Sequence, residues 1–301
     1  MKLAILQTKP RKGDLAANFA QLGAAFAQLA AEERPYDAIV LPEAGLTGYF
    51  LEGAVYESSF EASVLAQRVA DLWHAAAGSE RAPVDIVLGF YENAGGTYYN
   101  SALYLSVGAR SHEIVHVHRK MFLPTYGVFD EERFLSRGRK LQAFDTRFGR
   151  AAILICEDAW HALLPTIAAI KGAQLLYVPS ASPGRGLSRA GQLESVEHWR
   201  DLLRSYAVEH GIYVVYAGLA GFEGGKGMTG SSMLVAPSGE IVAAAPALGA
   251  HVIRAELDFG EVELARASLP LLGDLNAVLP DLLFDEELVD RVTSRSALPS
   301  L

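Results

Sequence analysis

The sequence predicts an α/β protein in which large β-sheets are covered by helices. Apolar runs of strand length alternate with segments whose apolar residues recur every three or four positions, the spacing of an amphipathic helix. Several strand-length runs also follow one another directly, which is typical of sheets that contain hairpins. No internal repeat, low-complexity tract or Ser/Pro-rich linker divides the 301 residues. One domain is therefore expected.

The first 120 residues predict five strands and two helices. The clearer helix follows Asp14, its expected N-cap. Its apolar positions are Leu15, Phe19, Leu22, Phe26 and Leu29. The second helix is EASVLAQRVADLWHAAA, and the strands are KLAILQT, YDAIVLPE, VDIVLGFYE, SALYLSV and EIVHVHRK. The last strand carries His116 and His118, and His112 lies just before it at an even spacing. These histidines are interpreted as one polar face because no second cluster of metal ligands accompanies them.

The next part of the chain continues the alternation and then loses it. Gly172 and Gly211 are the expected stops of two further helices. The helices are HALLPTIAAIKG and SVEHWRDLLRSYAVEHG, and the strands are RAAILIC, AQLLYVPS, IYVVYAG, SSMLVAP and EIVAAAP. From about Glu256 the pattern weakens. Residues 1–265 are interpreted as the main domain and 266–301 as a C-terminal tail, which packs either on a neighbouring subunit or on its own domain.

Composition narrows the class of protein. The formal net charge is −9, which argues against nucleic acid or an anionic membrane as the main partner. The start, MKLAILQTKP, becomes polar too early for a signal peptide, and no later run approaches a membrane span. A single cysteine cannot form an internal disulfide. A reducing, cytoplasmic location is therefore expected.

That cysteine, Cys156, ends an apolar strand in AILICEDAW. A free cysteine is most often a small buried core residue. Here, however, a helix is predicted a few residues later, and such a strand-to-helix turn presents a side chain at the open end of a sheet. Helix N-termini nearby also favour the thiolate, the form that attacks a carbonyl carbon. The sequence up to this point is consistent with either role for Cys156, core residue or nucleophile.

Two further strand ends carry charged residues. Glu43 follows the strand in IVLPEAGLTGY, and a carboxylate removed from water becomes a better proton acceptor. Lys120 ends another strand in HRKMFLP, where an inward ammonium could face an oxyanion. The alternatives are a solvated loop glutamate and a surface lysine.

Together, LPEAGLTGY, RKMFLP and ILICED resemble the motifs of the nitrilase superfamily of carbon–nitrogen hydrolases, whose members carry a Glu-Lys-Cys triad in this chain order. The resemblance implies a four-layer αββα sandwich, a homodimer or larger homo-oligomer, no cofactor or metal, and catalysis by Glu43, Lys120 and Cys156. It makes residues 1–265 the hydrolase domain. It also implies a second glutamate that orients the lysine, for which Glu131 matches best and Glu132 is the near miss.

Within the superfamily, LTGYFLEGAV, KMFLPTYGVFDEERF and CEDAW are similar to the glutaminase domain of glutamine-dependent NAD synthetases. Nitrilases usually have Trp-Glu after the cysteine, whereas Glu157 and Asp158 follow here, which favours an amide over a nitrile. No Ser-Gly-Gly pyrophosphate loop is found, and GFEGGKGMTG lacks the spacing of a P-loop. NAD synthesis by this chain alone is therefore not expected.

The resemblance also suggests a mechanism and a substrate pocket. Glu43 would take the proton of Cys156, and Lys120 with the backbone N–H of Glu157 would hold the oxyanion of a small amide. Tyr126 and Trp160 are candidate pocket walls, with core packing as the alternative. Ser182 and Arg185 would meet an anionic substrate end, although the GRGLS context of Arg185 departs from the glutaminase pattern. The alternatives are a glutaminase subunit that serves a separate synthetase, a nitrilase, and a silent binding protein.

Overall fold

Two six-stranded sheets lie at the centre of the computed structural model, which describes residues 1–78, 82–187, 191 and 193–293. The strands are β1 (Lys2–Gln7), β2 (Ala38–Val40), β3 (Val84–Ala94), β4 (Thr97–Val107), β5 (His112–Arg119), β6 (Ala143–Thr146), β7 (Gly149–Ile153), β8 (Leu175–Ser180), β9 (Tyr213–Gly218), β10 (Ala220–Glu223), β11 (Lys226–Thr229), β12 (Met233–Val235), β13 (Ile241–Ala244) and β14 (His251–Glu256). The first sheet has the order β14-β1-β2-β3-β4-β5 and the second β13-β12-β9-β8-β7-β6, while β10 and β11 form a separate hairpin.

The helices are α1 (Leu15–Ala30), α2 (Ala62–Ala77), α3 (Leu163–Ile170), α4 (Glu194–His210), α5 (Gly260–Ser268), α6 (Leu271–Leu283) and α7 (Glu286–Thr293). The first four cover the outer faces of the sheets. One core cluster joins α1 and α2 to the first sheet, and another joins α3 and α4 to the second. A third cluster fills the space between the sheets. The layers are therefore α, β, β and α, which confirms the predicted sandwich.

Side-chain alternation along the strands explains the two-sided burial. In β1, Ala4 and Leu6 belong to the cluster under α1 and α2, whereas Leu3 and Ile5 pack between the sheets. Successive residues of a strand point to opposite faces, so a strand buried on both faces has a continuous apolar sequence. This is why KLAILQT and its counterparts are uninterrupted apolar runs.

The parallel pairings bring several strand ends together. β1, β2 and β3 are parallel neighbours in the first sheet, and β7, β8 and β9 are parallel neighbours in the second. The loops that follow β2, β7 and β8 therefore leave their sheets at carboxyl ends, where open α/β sheets place their ligand sites.

Local signals in the sequence explain where two of the helices begin or end. The side chain of Asp14 accepts a hydrogen bond from the backbone N–H of Ala17 at 3.0 Å, which confirms it as the N-cap of α1. Gly211 ends α4 in the left-handed conformation at φ +56°, as its glycine predicts.

The expectation that His112, His116 and His118 share one face of β5 is wrong. His116 pairs with Tyr104 and His112 pairs with Val107, because a bulge interrupts the register between them. Tyr104 and Val107 are three residues apart and face opposite sides of the sheet, so His112 does not share a face with His116 and His118.

The chain after β13 contains more regular structure than the sequence pattern indicates. β14 pairs with β1 at the edge of the first sheet, and α5 follows it. α6 then lies beside α3 and α4 of the same chain. No helix in the described ranges is long and apolar enough to cross a bilayer.

Candidate active site

Glu43, Lys120 and Cys156, the three residues predicted from strand ends, lie at one edge of the sandwich. Glu43 follows β2, Lys120 follows β5 directly, and Cys156 begins a 3₁₀ turn (Cys156–Trp160) after β7. The Lys120 Nζ donates a hydrogen bond to the Glu43 Oε1 at 2.8 Å, and both side chains are 0% exposed. Charged groups that are fully removed from water need partners, and here each charge neutralises the other.

Glu131 is the second carboxylate on the lysine. Lys120 Nζ donates to its Oε1 at 3.0 Å, and Glu131 is buried, whereas the neighbouring Glu132 is exposed. Burial raises the pKa of Glu131 to about 7, although Lys120 opposes the shift. Burial by itself lowers the pKa of the Lys120 ammonium, but the Glu131 and Glu43 carboxylates outweigh it and raise that pKa well above its ordinary value. The two carboxylates therefore favour the charged form of Lys120.

Two groups that the sequence does not single out hold the carboxylates in place. The Asn100 Nδ2 donates to Glu43 Oε1 at 2.7 Å and to Glu131 Oε1 at 2.9 Å. The backbone N–H of Ala181, which directly follows β8, donates to Glu43 Oε2 at 2.7 Å. The sequence places Asn100 just before the predicted strand SALYLSV, and only the structure shows it inside β4, where asparagine is depleted.

Cys156 has an unusual backbone conformation. Its φ is +47°, in the left-handed region that non-glycine residues rarely adopt, and its side chain is half-buried. Burial raises the pKa of the Cys156 thiol, as does the Glu43 carboxylate, while the Lys120 ammonium lowers it. A strained residue in a sharp turn after a strand is the arrangement that presents a nucleophile at the edge of a sheet.

Tyr126, Glu157 and Arg185 lie together in three dimensions. The Tyr126 Oη donates to Glu157 Oε2 at 3.4 Å. The Arg185 Cζ lies 5.8 Å from the centre of the Tyr126 ring and 4.9 Å from that of Phe129. Burial raises the pKa of Glu157 and of Tyr126. These side chains bring one carboxylate, one phenol and one guanidinium to the loops beside Cys156.

Ser182 and Trp160 line the other side of this region. The Ser182 Oγ accepts a hydrogen bond from the Trp199 Nε1 at 3.0 Å. The exposed Trp160 ring stacks on His198 with centroids 4.4 Å apart. Together with Arg185 they border a cavity of about 270 Å³. Trp160 therefore faces solvent space, and Ser182 keeps its hydroxyl proton for a second partner.

A second cavity, of about 250 Å³, lies on the Glu131 side of the cluster. Tyr49 and Phe50 form part of its wall, and their backbone N–H groups donate to Glu223 Oε2 at 2.9 and 3.0 Å. Glu223 belongs to the β10–β11 hairpin. This hairpin, which the sequence pattern does not predict, therefore holds the loop that follows Glu43.

Gly89 packs against the backbone of Glu43, so its replacement tests how tightly this residue is held. A Cβ at Gly89 would lie 2.5 Å from Glu43 Cα and 2.7 Å from the carbonyl oxygen of Pro42. We expect Gly89→Ala to lower the free energy of unfolding by about 1–3 kcal/mol, because backbone atoms must move, and to lower activity with it. Urea denaturation and ammonia release measure the two effects. Gly249→Ala, where a Cβ meets nothing within 4 Å, is the control; identical behaviour of the two variants would contradict this packing.

Comparison with known proteins places this chain in a family. The sequence profile of the carbon–nitrogen hydrolases matches residues 2–267. A glutamine-dependent NAD(+) synthetase of Thermotoga maritima is 29% identical over 266 residues, which cover 87% of this chain and 42% of the synthetase. An N-carbamoylputrescine amidase of Arabidopsis thaliana is 26% identical over 200 residues, covering 64% of this chain and 65% of the amidase.

A solved structure supports the same assignment. Nit3 of Saccharomyces cerevisiae, a member of the nitrilase superfamily, superposes with a TM-score of 0.73 at 26% identity and covers 90% of this chain and 94% of its own. This chain spans less than half of the length of the synthetase it matches. The family match nevertheless extends over most of the residues described above. The chain belongs to the carbon–nitrogen hydrolase family of the nitrilase superfamily.

Proposed function

We propose that this protein is an amidase that releases ammonia from a small amide through a thioester on Cys156. The observation that carries the proposal is the buried network in which Lys120 donates to both Glu43 and Glu131, set at the edge of the sheets beside a half-buried cysteine with a left-handed backbone. Burying one ammonium with two carboxylates is costly for stability. Such a network is typical of a site that handles charge and protons.

Acylation begins with proton transfer. Glu43 takes the Sγ proton of Cys156, and the thiolate attacks the amide carbon to form a tetrahedral oxyanion. The Lys120 ammonium and the backbone N–H of Glu157 hold that oxyanion. Glu43 then returns its proton to the amide nitrogen, the carbon–nitrogen bond breaks, and ammonia leaves. The product on the enzyme is a thioester.

Deacylation uses the same carboxylate. Glu43 removes a proton from water, the hydroxide attacks the thioester carbon, and the second oxyanion forms in the same place. Collapse of this intermediate breaks the carbon–sulfur bond, and the proton held by Glu43 returns to the Cys156 sulfur. The carboxylic acid departs and the thiol is restored. Glu131 and Asn100 keep Lys120 and Glu43 in position throughout.

The substrate class follows from the side chains around Cys156. Arg185 supplies a cation and Tyr126 an aromatic wall, while Trp160 and Ser182 border the adjacent cavity. We therefore assign to the site a small amide with a polar or anionic end. The amidase among the relatives supports a free-standing amide hydrolase, and the synthetases support an amide such as that of glutamine.

Ammonia release from a panel of primary amides, N-carbamoyl compounds and nitriles tests the proposal. We expect turnover of amides, with a preference for those that carry a carboxylate over their neutral counterparts. Arg185→Met should reduce that preference by roughly tenfold, the usual worth of a hydrogen bond to a charged group. Turnover of nitriles alone would overturn the amidase assignment, and an unchanged preference in Arg185→Met would remove Arg185 from the substrate site.

A glutaminase subunit that works with a separate synthetase is the second candidate, favoured by the similarity to NAD(+) synthetases. Weak release of ammonia from glutamine, stimulated by a synthetase that co-purifies with the chain, would support it. A folded protein that turns over nothing, alone or with such a partner, would favour a silent binding protein. The division into a hydrolase domain (1–265) and a tail (266–301), a homodimer or larger homo-oligomer, and a cytoplasmic location stay predictions.

A further inference from the structure

The carboxylate of Asp158 is the most completely bonded polar group near the site. Asp158 is 0% exposed. Its Oδ1 accepts from the backbone N–H groups of Met121 at 2.9 Å and Phe122 at 3.0 Å. Its Oδ2 accepts from the N–H of Ile155 at 3.1 Å and from the His118 Nε2 at 2.9 Å. Four donors on one carboxylate satisfy the buried charge without a lysine or arginine.

The positions of these donors matter more than their number. Met121 and Phe122 directly follow Lys120, and His118 lies two residues before it on β5. The fourth donor, Ile155, directly precedes Cys156. One carboxylate therefore ties the backbone on both sides of the lysine to the backbone that carries the cysteine. These two segments belong to different sheets.

The same carboxylate also closes the turn in which Cys156 is strained. The N–H of Asp158 donates to the carbonyl oxygen of Ile155 at 3.0 Å, and the Asp158 side chain accepts from the N–H of Ile155. Cys156 lies between these two residues with φ +47°. A left-handed non-glycine residue costs on the order of 1–3 kcal/mol and persists only where its surroundings fix it. Asp158 supplies such a constraint.

We propose that Asp158, held by His118, is a positioning residue that fixes the nucleophile Cys156 relative to the Lys120 ammonium. The inference rests on the proposed function, since it assigns both residues their roles there. Asp158 touches no reacting atom. It acts through the two backbone segments, so its loss should slow the chemistry more than it weakens the binding of substrate.

The test combines two rates. Cys156 is the only cysteine in the chain, so alkylation by iodoacetamide reports on this thiol alone and needs no knowledge of the substrate. We expect Asp158→Asn to slow alkylation at neutral pH, because the thiolate loses the nearby cation. With the best amide of the panel, kcat should fall by about 100-fold, the typical result of a misplaced reacting group, with little change in KM.

Matched variants separate positioning from stability. Asp85 is an equally buried aspartate whose carboxylate accepts from the Tyr104 Oη at 2.6 Å, far along β3 from the site. Asp85→Asn should lower the free energy of unfolding without slowing alkylation. His118→Leu removes one donor to Asp158 and should slow alkylation, whereas His118→Gln, which offers an amide N–H, should restore much of the rate.

The results decide whether Asp158 positions the thiol or only stabilises the fold. Alkylation at the wild-type rate in both Asp158→Asn and His118→Leu, with only a loss of stability, would overturn the proposal. If Asp158→Asn does not fold, the two His118 variants decide alone, and equal rates for them would overturn it as well. If no amide is hydrolysed, the proposed function fails, but the alkylation rates still test whether Asp158 positions the thiol.

Discussion

Replacement of Cys156 by alanine is expected to abolish ammonia release, with a fall in rate of at least about 10⁴-fold, because the thioester cannot form without the sulfur. The fold should survive, since the side chain is half-buried and alanine removes one atom from it. Mass spectrometry of the wild-type protein during turnover of a slow amide should show one acyl group on the chain. The alanine variant should show none.

A second variant sharpens this result. Cys156→Ser keeps the shape of the side chain and replaces the thiol by a hydroxyl. The Glu43 carboxylate can remove a proton from a hydroxyl far less easily than from a thiol. We expect it to be nearly as inactive as alanine. Urea denaturation of both variants controls for folding. Ammonia release by Cys156→Ala at more than a small fraction of the wild-type rate would disprove covalent catalysis by this residue.

The sequence pattern predicts the core of the site because its three residues share one feature. Glu43, Lys120 and Cys156 each stand at the end of a predicted strand. The strands before Glu43 and Cys156 are apolar and lie in parallel pairs, whose carboxyl ends meet at one edge. Lys120 instead follows β5, an antiparallel edge strand with alternating polar residues. The resemblance to a known family then selects Glu131 from the acidic run DEER. In the structure, the Lys120 ammonium donates hydrogen bonds to both Glu43 and Glu131.

The sequence pattern does not predict the hydrogen-bond partners of these residues. Asn100 reaches Glu43 because β4 pairs with β3 in a register that sets Asn100 opposite Tyr91. The N–H of Ala181 reaches it because β8 lies in the other sheet and ends at the same edge. Registers and sheet-to-sheet contacts are long-range properties, and local periodicity does not contain them.

The sequence pattern does not predict the short and irregular elements, for a related reason. β6 has four residues, as do both strands of the β10–β11 hairpin, so none shows a measurable period. The bulge in β5 has no signal in EIVHVHRK, and it reverses the expected face of His112. In the sequence, Asp158 stands out only as a departure from the nitrilase motif, because its four donors come together only in the folded chain.

Replacement of Glu43 by glutamine has the second largest expected effect. Glutamine keeps the shape but cannot take the thiol proton, and general-base catalysis typically contributes about 10²–10⁴-fold to a rate. Both acylation and deacylation use this carboxylate, so both steps should slow. Glu43 accepts hydrogen bonds from Lys120, Asn100 and the Ala181 N–H through both of its oxygens. In the glutamine variant the NH₂ group replaces one oxygen, so a donor would face a donor there. Some loss of stability is therefore expected.

Glu92→Gln is the matched control for that loss. Glu92 on β3 is also buried, and it accepts hydrogen bonds from Ser101 Oγ on β4 at 2.7 Å and from Arg119 on β5, but from none of the catalytic residues. Its variant should lose stability and keep its turnover number. If the two glutamine variants lost activity in equal measure, the effect of Glu43→Gln would be one of folding alone.

Alkylation of Cys156 separates the role of Glu43 as a general base from the effect of its negative charge on the thiol. The Glu43 carboxylate raises the pKa of the Cys156 thiol, so a neutral glutamine should lower that pKa. The pH profile for reaction with iodoacetamide should then shift to lower pH in Glu43→Gln, even though amide hydrolysis is lost. A more easily ionised thiol in an inactive enzyme would show that the missing function is proton transfer to and from the substrate. A profile that does not move would mean that Glu43 and Cys156 do not face each other, and another residue would have to serve as the base.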